Sequence, residues 1–105
     1  MSHRVDDRKT AIEKLWDAFE RLKTIDIPGG DKKASLTALL AHITDEPLRA
    51  TVEADMVALT GIGNTFNIRH HETGKYPITA EGYDYFFVRM SNVIIVLLRQ
   101  SDRLD

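Results

Sequence analysis

The last quarter of the chain constrains the fold most. Tyr83, Phe86, Phe87, Met90, Val93, Ile94, Leu97 and Leu98 follow the i, i+3, i+4, i+7 spacing of an amphipathic helix. Val88, Ile95 and Val96 fall off that stripe, so the segment is apolar nearly all round. Such a helix is central to its own bundle or sits in a subunit interface. A chain of 105 residues has few places to bury a second helix face. The pattern therefore predicts a homodimer; the competing arrangement is a central helix wrapped by the others.

Three further segments carry the same period. The first spans about 7–24, with Ile12, Leu15, Trp16, Phe19 and Leu22 on one side. Glu13, Lys14, Asp17, Glu20, Arg21 and Lys23 are expected on the other. Pro28-Gly29-Gly30 ends it. The second spans about 31–43, with Asp31 as N-cap and Leu36, Leu39, Leu40 and Ile43 as its apolar stripe. The third starts at about residue 46, with Asp45 as cap and Pro47 in the first turn. Its end is ambiguous. Gly61 and Gly63 suggest a stop near residue 60, yet Leu59, Ile62, Phe66 and Arg69 keep helical spacing to about residue 70. A connector with Gly74 and Pro77 leads to the last helix, about 79–102, capped by Thr79. The expectation is one all-α domain over residues 1–105, a four-helix antiparallel bundle.

Composition narrows the chemistry. There is no cysteine, which excludes disulfides, thiolate catalysis and Cys-ligated metals. Net charge is −2, and on either side of residue 35 the chain is neither a basic arm nor an acidic tail, so bulk electrostatics do not predict nucleic-acid binding. The first residues have no apolar signal core, and the longest apolar run is the six residues Val93–Leu98. No membrane association is expected, and the cytoplasm is the expected compartment.

One segment concentrates reactive side chains: Asn64-Thr65-Phe66-Asn67-Ile68-Arg69-His70-His71-Glu72-Thr73-Gly74-Lys75. Histidine titrates near neutrality and suits general acid–base work. Arginine offers a rigid fork of donors matched to phosphate. Together they form a minimal set for metal-free RNA cleavage. Arg69, His70 and His71 are the candidate catalytic residues; Asn64, Asn67 and Lys75 are the candidate nucleic-acid contacts. The plain alternative is a structural joint in which Arg69 pairs with Glu72 or with an acid on the first helix. A metal site at His70, His71 and Glu72 is disfavoured, because adjacent histidines rarely share one ion and no H-x-x-x-H spacing is present. No cofactor is expected. Gly61-Ile62-Gly63-Asn64 lacks the strand and third glycine of a dinucleotide fingerprint. His42 reads as an edge or core histidine, and Trp16 as packing. No Ser/His/Asp order suggests a hydrolase triad.

"NTFNIRHHETGK" followed by "YDYFFVRM" resembles the C-terminal helical region of bacterial abortive-infection proteins of the AbiJ type. There, N-x-F-x-I-R-H-x-E precedes a last helix opening on a Tyr-Asp/aromatic run. "DRKTAIEKLWDAFERLKT" resembles the first helix of that region, so the similarity covers about residues 7–100. These regions have been related to the HEPN superfamily of small helical bundles, many of them dimeric, metal-independent RNases of phage defence. The resemblance implies a HEPN-like four-helix fold, a homodimer, RNA as target, and a partner domain or antitoxin. It also implies that the chain is either a stand-alone form or a piece of a longer protein. One departure stands out. Active HEPN RNases carry Arg and His separated by four to six residues, and here Gly74, Lys75 and Tyr76 occupy those places after Arg69. Two readings follow: an RNA-binding or RNA-cleaving phage-defence module with a variant site of Arg69 and His70 with His71 or Lys75, or a non-catalytic dimerisation and protein-interaction domain.

Overall fold

The computed structural model describes residues 2–25, 30–66, 68 and 74–103, with side chains from residue 7 onward. Four helices make it up: α1 (Ser2–Leu22), α2 (Lys32–Ala41), α3 (Glu46–Thr65) and α4 (Ala80–Gln100). Among the described residues there is no strand beyond one isolated bridge between Phe66 and Tyr76. No helix among them is long and apolar enough to cross a membrane.

The caps lie where the sequence puts them. Asp31 accepts from the Lys33 amide at 3.0 Å, Asp45 from Leu48 at 3.0 Å, and the Thr79 hydroxyl from Gly82 at 3.0 Å. Each satisfies an amide that the first helical turn leaves without a carbonyl partner. The ends differ more. α1 begins at Ser2 rather than near residue 7, because its polar opening turns carry no breaker even though they carry no apolar stripe. Arg8 then ties this end to α4 through Asp84, at 3.2 Å.

The third helix stops at Thr65, between the two ends the sequence allows. Neither Gly61 nor Gly63 terminates it. Gly63 lies against the Trp16 indole, and any Cβ there would overlap the ring. Its missing side chain thus lets α3 approach α1 and continue past it.

The core joins all four helices. Ile12, Trp16, Phe19 and Leu22 of α1 meet Leu39 and Leu40 of α2 and Ile43 beyond its end. Val52, Met56 and Leu59 of α3 and Tyr83, Phe86, Met90, Val93, Ile94 and Leu97 of α4 complete it. Burial of these side chains is the dominant driving force. Two expectations about polar side chains fail. Lys23, assigned to the solvent side of α1, is 5% exposed, because it sits four residues after Phe19 and so extends the buried side. His42 lies exposed at the C-cap of α2, where its amide donates to Leu39 and Leu40, rather than at the core edge.

α4 packs most closely on α1, and the other helices do not wrap it. The molecule is elongated, 43 × 27 × 21 Å, with a radius of gyration of 14.5 Å. A compact domain of this length has about 13 Å. The outer side of α4 therefore faces solvent. Tyr85 is 59%, Val88 57% and Ile95 38% exposed, and Phe87, expected in the stripe, lies exposed as well.

Candidate functional site

The polar segment occupies the joint between α3 and α4. Asn67, Arg69, His70 and His71, with Glu72 and Thr73, lie outside the described residues. The base of the joint is well defined. The Phe66 amide caps α3 by donating to the Ile62 carbonyl at 2.8 Å. The Tyr76 amide donates to the Thr65 carbonyl at 3.0 Å and closes the Phe66–Tyr76 bridge. Ile68 turns inward and is buried. Gly74 takes a positive φ of 76°, a backbone region that disfavours other residues, where the chain turns back.

Aromatic rings brace this closure. Phe66 lies 6.4 Å from Tyr76 and 5.2 Å from Phe86, and Phe86 lies 5.6 Å from Tyr85. The inner pair joins the joint to the core, while Tyr76 and Tyr85 end the row in solvent. The ring separations fall in the range of favourable tilted contacts.

The two described members of the expected nucleic-acid set differ. Asn64 is exposed on the last turn of α3. Lys75 is half-buried, and its Nζ donates to the Gly63 carbonyl at 2.9 Å. A cation on a carbonyl of the last helical turn complements the helix dipole. Lys75 thus has a structural task, holding the returning chain onto α3.

Sequence reasoning missed a second polar cluster. Lys23 Nζ lies 2.9 Å from Glu20 Oε2, donates to Thr60 Oγ1 at 2.9 Å, and stands 4.4 Å from the centre of the Phe19 ring. The signal was its position four residues beyond Phe19. Beside it runs an open groove of about 470 Å³, lined by Lys32, Lys33, Leu36, Met56 and Thr60 as well as Lys23. The Lys23 ammonium is engaged by Glu20 and Thr60, and Lys32 also approaches Glu20, at 3.8 Å. The cluster thus braces three helices.

One titration is displaced among the described groups. Burial raises the Tyr83 hydroxyl above the ordinary phenol value, and the nearby negative charge of Glu13 adds to this. No group of three His, Asp or Glu among the described residues converges as a metal site would require. Compared with known proteins, the chain matches no family model, no curated protein and no solved structure.

Proposed function

We propose that this chain is a non-catalytic, HEPN-like helical module that self-associates through the outer side of α4. One observation carries the reading: Tyr85, Val88 and Ile95 are exposed along the side of α4 that faces away from the core. α1 takes the inner side of α4, and among the described residues none covers Tyr85, Val88 and Ile95. Pairing would remove them from water, and a fully buried Val or Ile side chain is worth about 1.5–3 kcal/mol. The Lys75 contact with Gly63 supports the same reading, since it gives that cation a structural rather than a substrate-directed role.

Light scattering across micromolar to submillimolar protein tests this. The wild type should form a dimer, and the double substitution Val88→Asp/Ile95→Asp should give a monomer with unchanged helix content. A wild type that stays monomeric throughout overturns the reading.

A second reading draws on the closed base of the joint. The Phe66–Tyr76 bridge holds both ends of the Asn64–Lys75 segment together, beside a Tyr76 ring that is 70% exposed. Exposed aromatic rings beside basic side chains suit single-stranded RNA. On this reading Arg69 clamps phosphate, His70 or His71 moves the proton, and Asn64 and Asn67 orient the strand. The module would then act on RNA in phage defence, under control of an antitoxin or partner domain. RNA cleavage in EDTA by the wild type, lost in Arg69→Ala and His70→Ala, supports it. No cleavage by the wild type, or equal cleavage by all three, defeats it.

A further inference from the structure

We propose that the groove between α2 and α3 binds an aliphatic carboxylate, its chain on an apolar floor and its head on Lys32 and Lys33. The inference stands apart from self-association, because no α4 residue lines the groove.

Two helices supply the floor. Leu36 of α2 is half-buried, Met56 of α3 is buried, and Val57 beside it is 67% exposed. None of the residues lining the groove is aromatic. A nucleobase or another flat ring would find no stacking partner there, whereas a saturated chain needs only apolar contact. The volume of about 470 Å³ lies within the range of small-molecule sites, about 300–1,000 Å³, which also combine apolar walls with a few polar groups.

The inner polar wall is already satisfied. Lys23 Nζ is engaged by Glu20 and Thr60 and faces the Phe19 ring. The Thr60 hydroxyl donates in turn to the Met56 carbonyl at 3.0 Å. A ligand's charge therefore belongs at the rim, not at the inner wall.

The rim is basic along α2. No ion pair ties Lys33 to another described residue. Lys32 reaches Glu20 only at 3.8 Å, and Lys23 already holds that carboxylate at 2.9 Å. Asp31 lines the same end, but its carboxylate accepts from the Lys33 amide as the cap of α2. The α3 side of the groove offers no carboxylate at all. Glu20 and Asp31 leave a small positive excess, which matches a singly charged carboxylate better than a doubly charged phosphate.

The same two lysines are out of place for the helix they begin. The first turn of α2 contains no acid, and cations there oppose the helix dipole. Repulsion between neighbouring ammonium groups adds to that cost. An anion bound across Lys32 and Lys33 relieves both, so the charge placement that weakens α2 on its own favours the complex.

Calorimetric titration of the whole chain with sodium octanoate, below its micelle concentration, tests this. The wild type should bind octanoate saturably at a single site. Octanol, which lacks the charge, and acetate, which lacks the chain, should each bind more weakly by about tenfold or more. Lys32→Gln/Lys33→Gln should weaken octanoate binding by about tenfold, as expected for two solvent-exposed ion pairs. Val57→Asp should abolish it. Helix content should stay unchanged in both variants, since all three side chains are exposed. No saturable binding by the wild type overturns the proposal. So does octanol binding as tightly as octanoate, or wild-type affinity in both variants. Octyl phosphate binding more tightly than octanoate overturns the carboxylate head. A wild-type dimer that Val57→Asp turns into a monomer makes a second copy the occupant and overturns the proposal too. So does a Leu/Glu helical peptide that binds the wild type but not Val57→Asp while octanoate does not bind.

Discussion

Lys23 Nζ lies 2.9 Å from Glu20 Oε2 and 2.9 Å from Thr60 Oγ1, so one buried ammonium ties α1 to α3. Its charge is compensated on one side by a carboxylate and on another by the Phe19 ring face at 4.4 Å. The Glu20 side chain keeps about a third of its exposure, although the Oε2 atom that faces Lys23 is itself buried.

Lys23→Ala should therefore destabilise the fold by about 2 kcal/mol in urea unfolding, less than the loss of a fully buried ion pair. Lys23→Met keeps the packed stem and should lose about half as much. Equal stability of wild type and Lys23→Ala would show that the contact contributes nothing.

The two glycines of α3 should respond with opposite signs. Gly61 has open space where a Cβ would go, so Gly61→Ala should stabilise by about 0.5–1 kcal/mol through helix propensity. At Gly63 the same change drives a methyl into the Trp16 ring and should cost about 1–3 kcal/mol. Paired thermal melts measure both, and matching shifts in one direction would contradict the packing described.

Asp45 caps α3 through the Leu48 amide at 3.0 Å. Asp45→Ala should cost about 1 kcal/mol, and Asp45→Asn should recover most of it, since an amide oxygen also accepts. Chemical denaturation of the three proteins decides this.

Tyr83 should make stability sensitive to alkaline pH. Its proton is held more tightly in the folded state than in the unfolded chain, by burial first and then by the charge of Glu13. The folded state therefore binds more protons once pH exceeds the unfolded phenol value of about 10. Stability is unaffected below that value and falls as pH rises through it toward the folded value. Ultraviolet titration of tyrosinate should show one of the three tyrosines ionising late. Tyr83→Phe should remove the late phase and flatten the alkaline loss of stability. Three coincident ionisations would refute the assignment.

Three of the four helices were legible at their starts because a capping residue precedes the apolar stripe. Asp31, Asp45 and Thr79 could be read directly, since a short side-chain acceptor before a periodic run has one physical use. The end of α3 was not legible. Glycine at 61 and 63 reads locally as a terminator, and only the Trp16 ring from another helix explains why the helix continues through Gly63. Lys23 was misplaced for a related reason, because residue type outweighed its spacing from Phe19. At the joint, the sequence marked Lys75 as a cation but not the Gly63 carbonyl it reaches. That pairing depends on a chain reversal at Gly74, which periodicity does not describe.

Trp16 is the sole tryptophan in the chain, and its indole seats against Gly63, one residue before Asn64. The protein thus carries a built-in optical reporter at the root of its polar joint. Ligand engagement that shifts the end of α3 should alter the indole's emission. Contact along the outer side of α4, away from that ring, should leave its spectrum unchanged. Intrinsic fluorescence alone can thus separate an event at the joint from one on the outer side of α4.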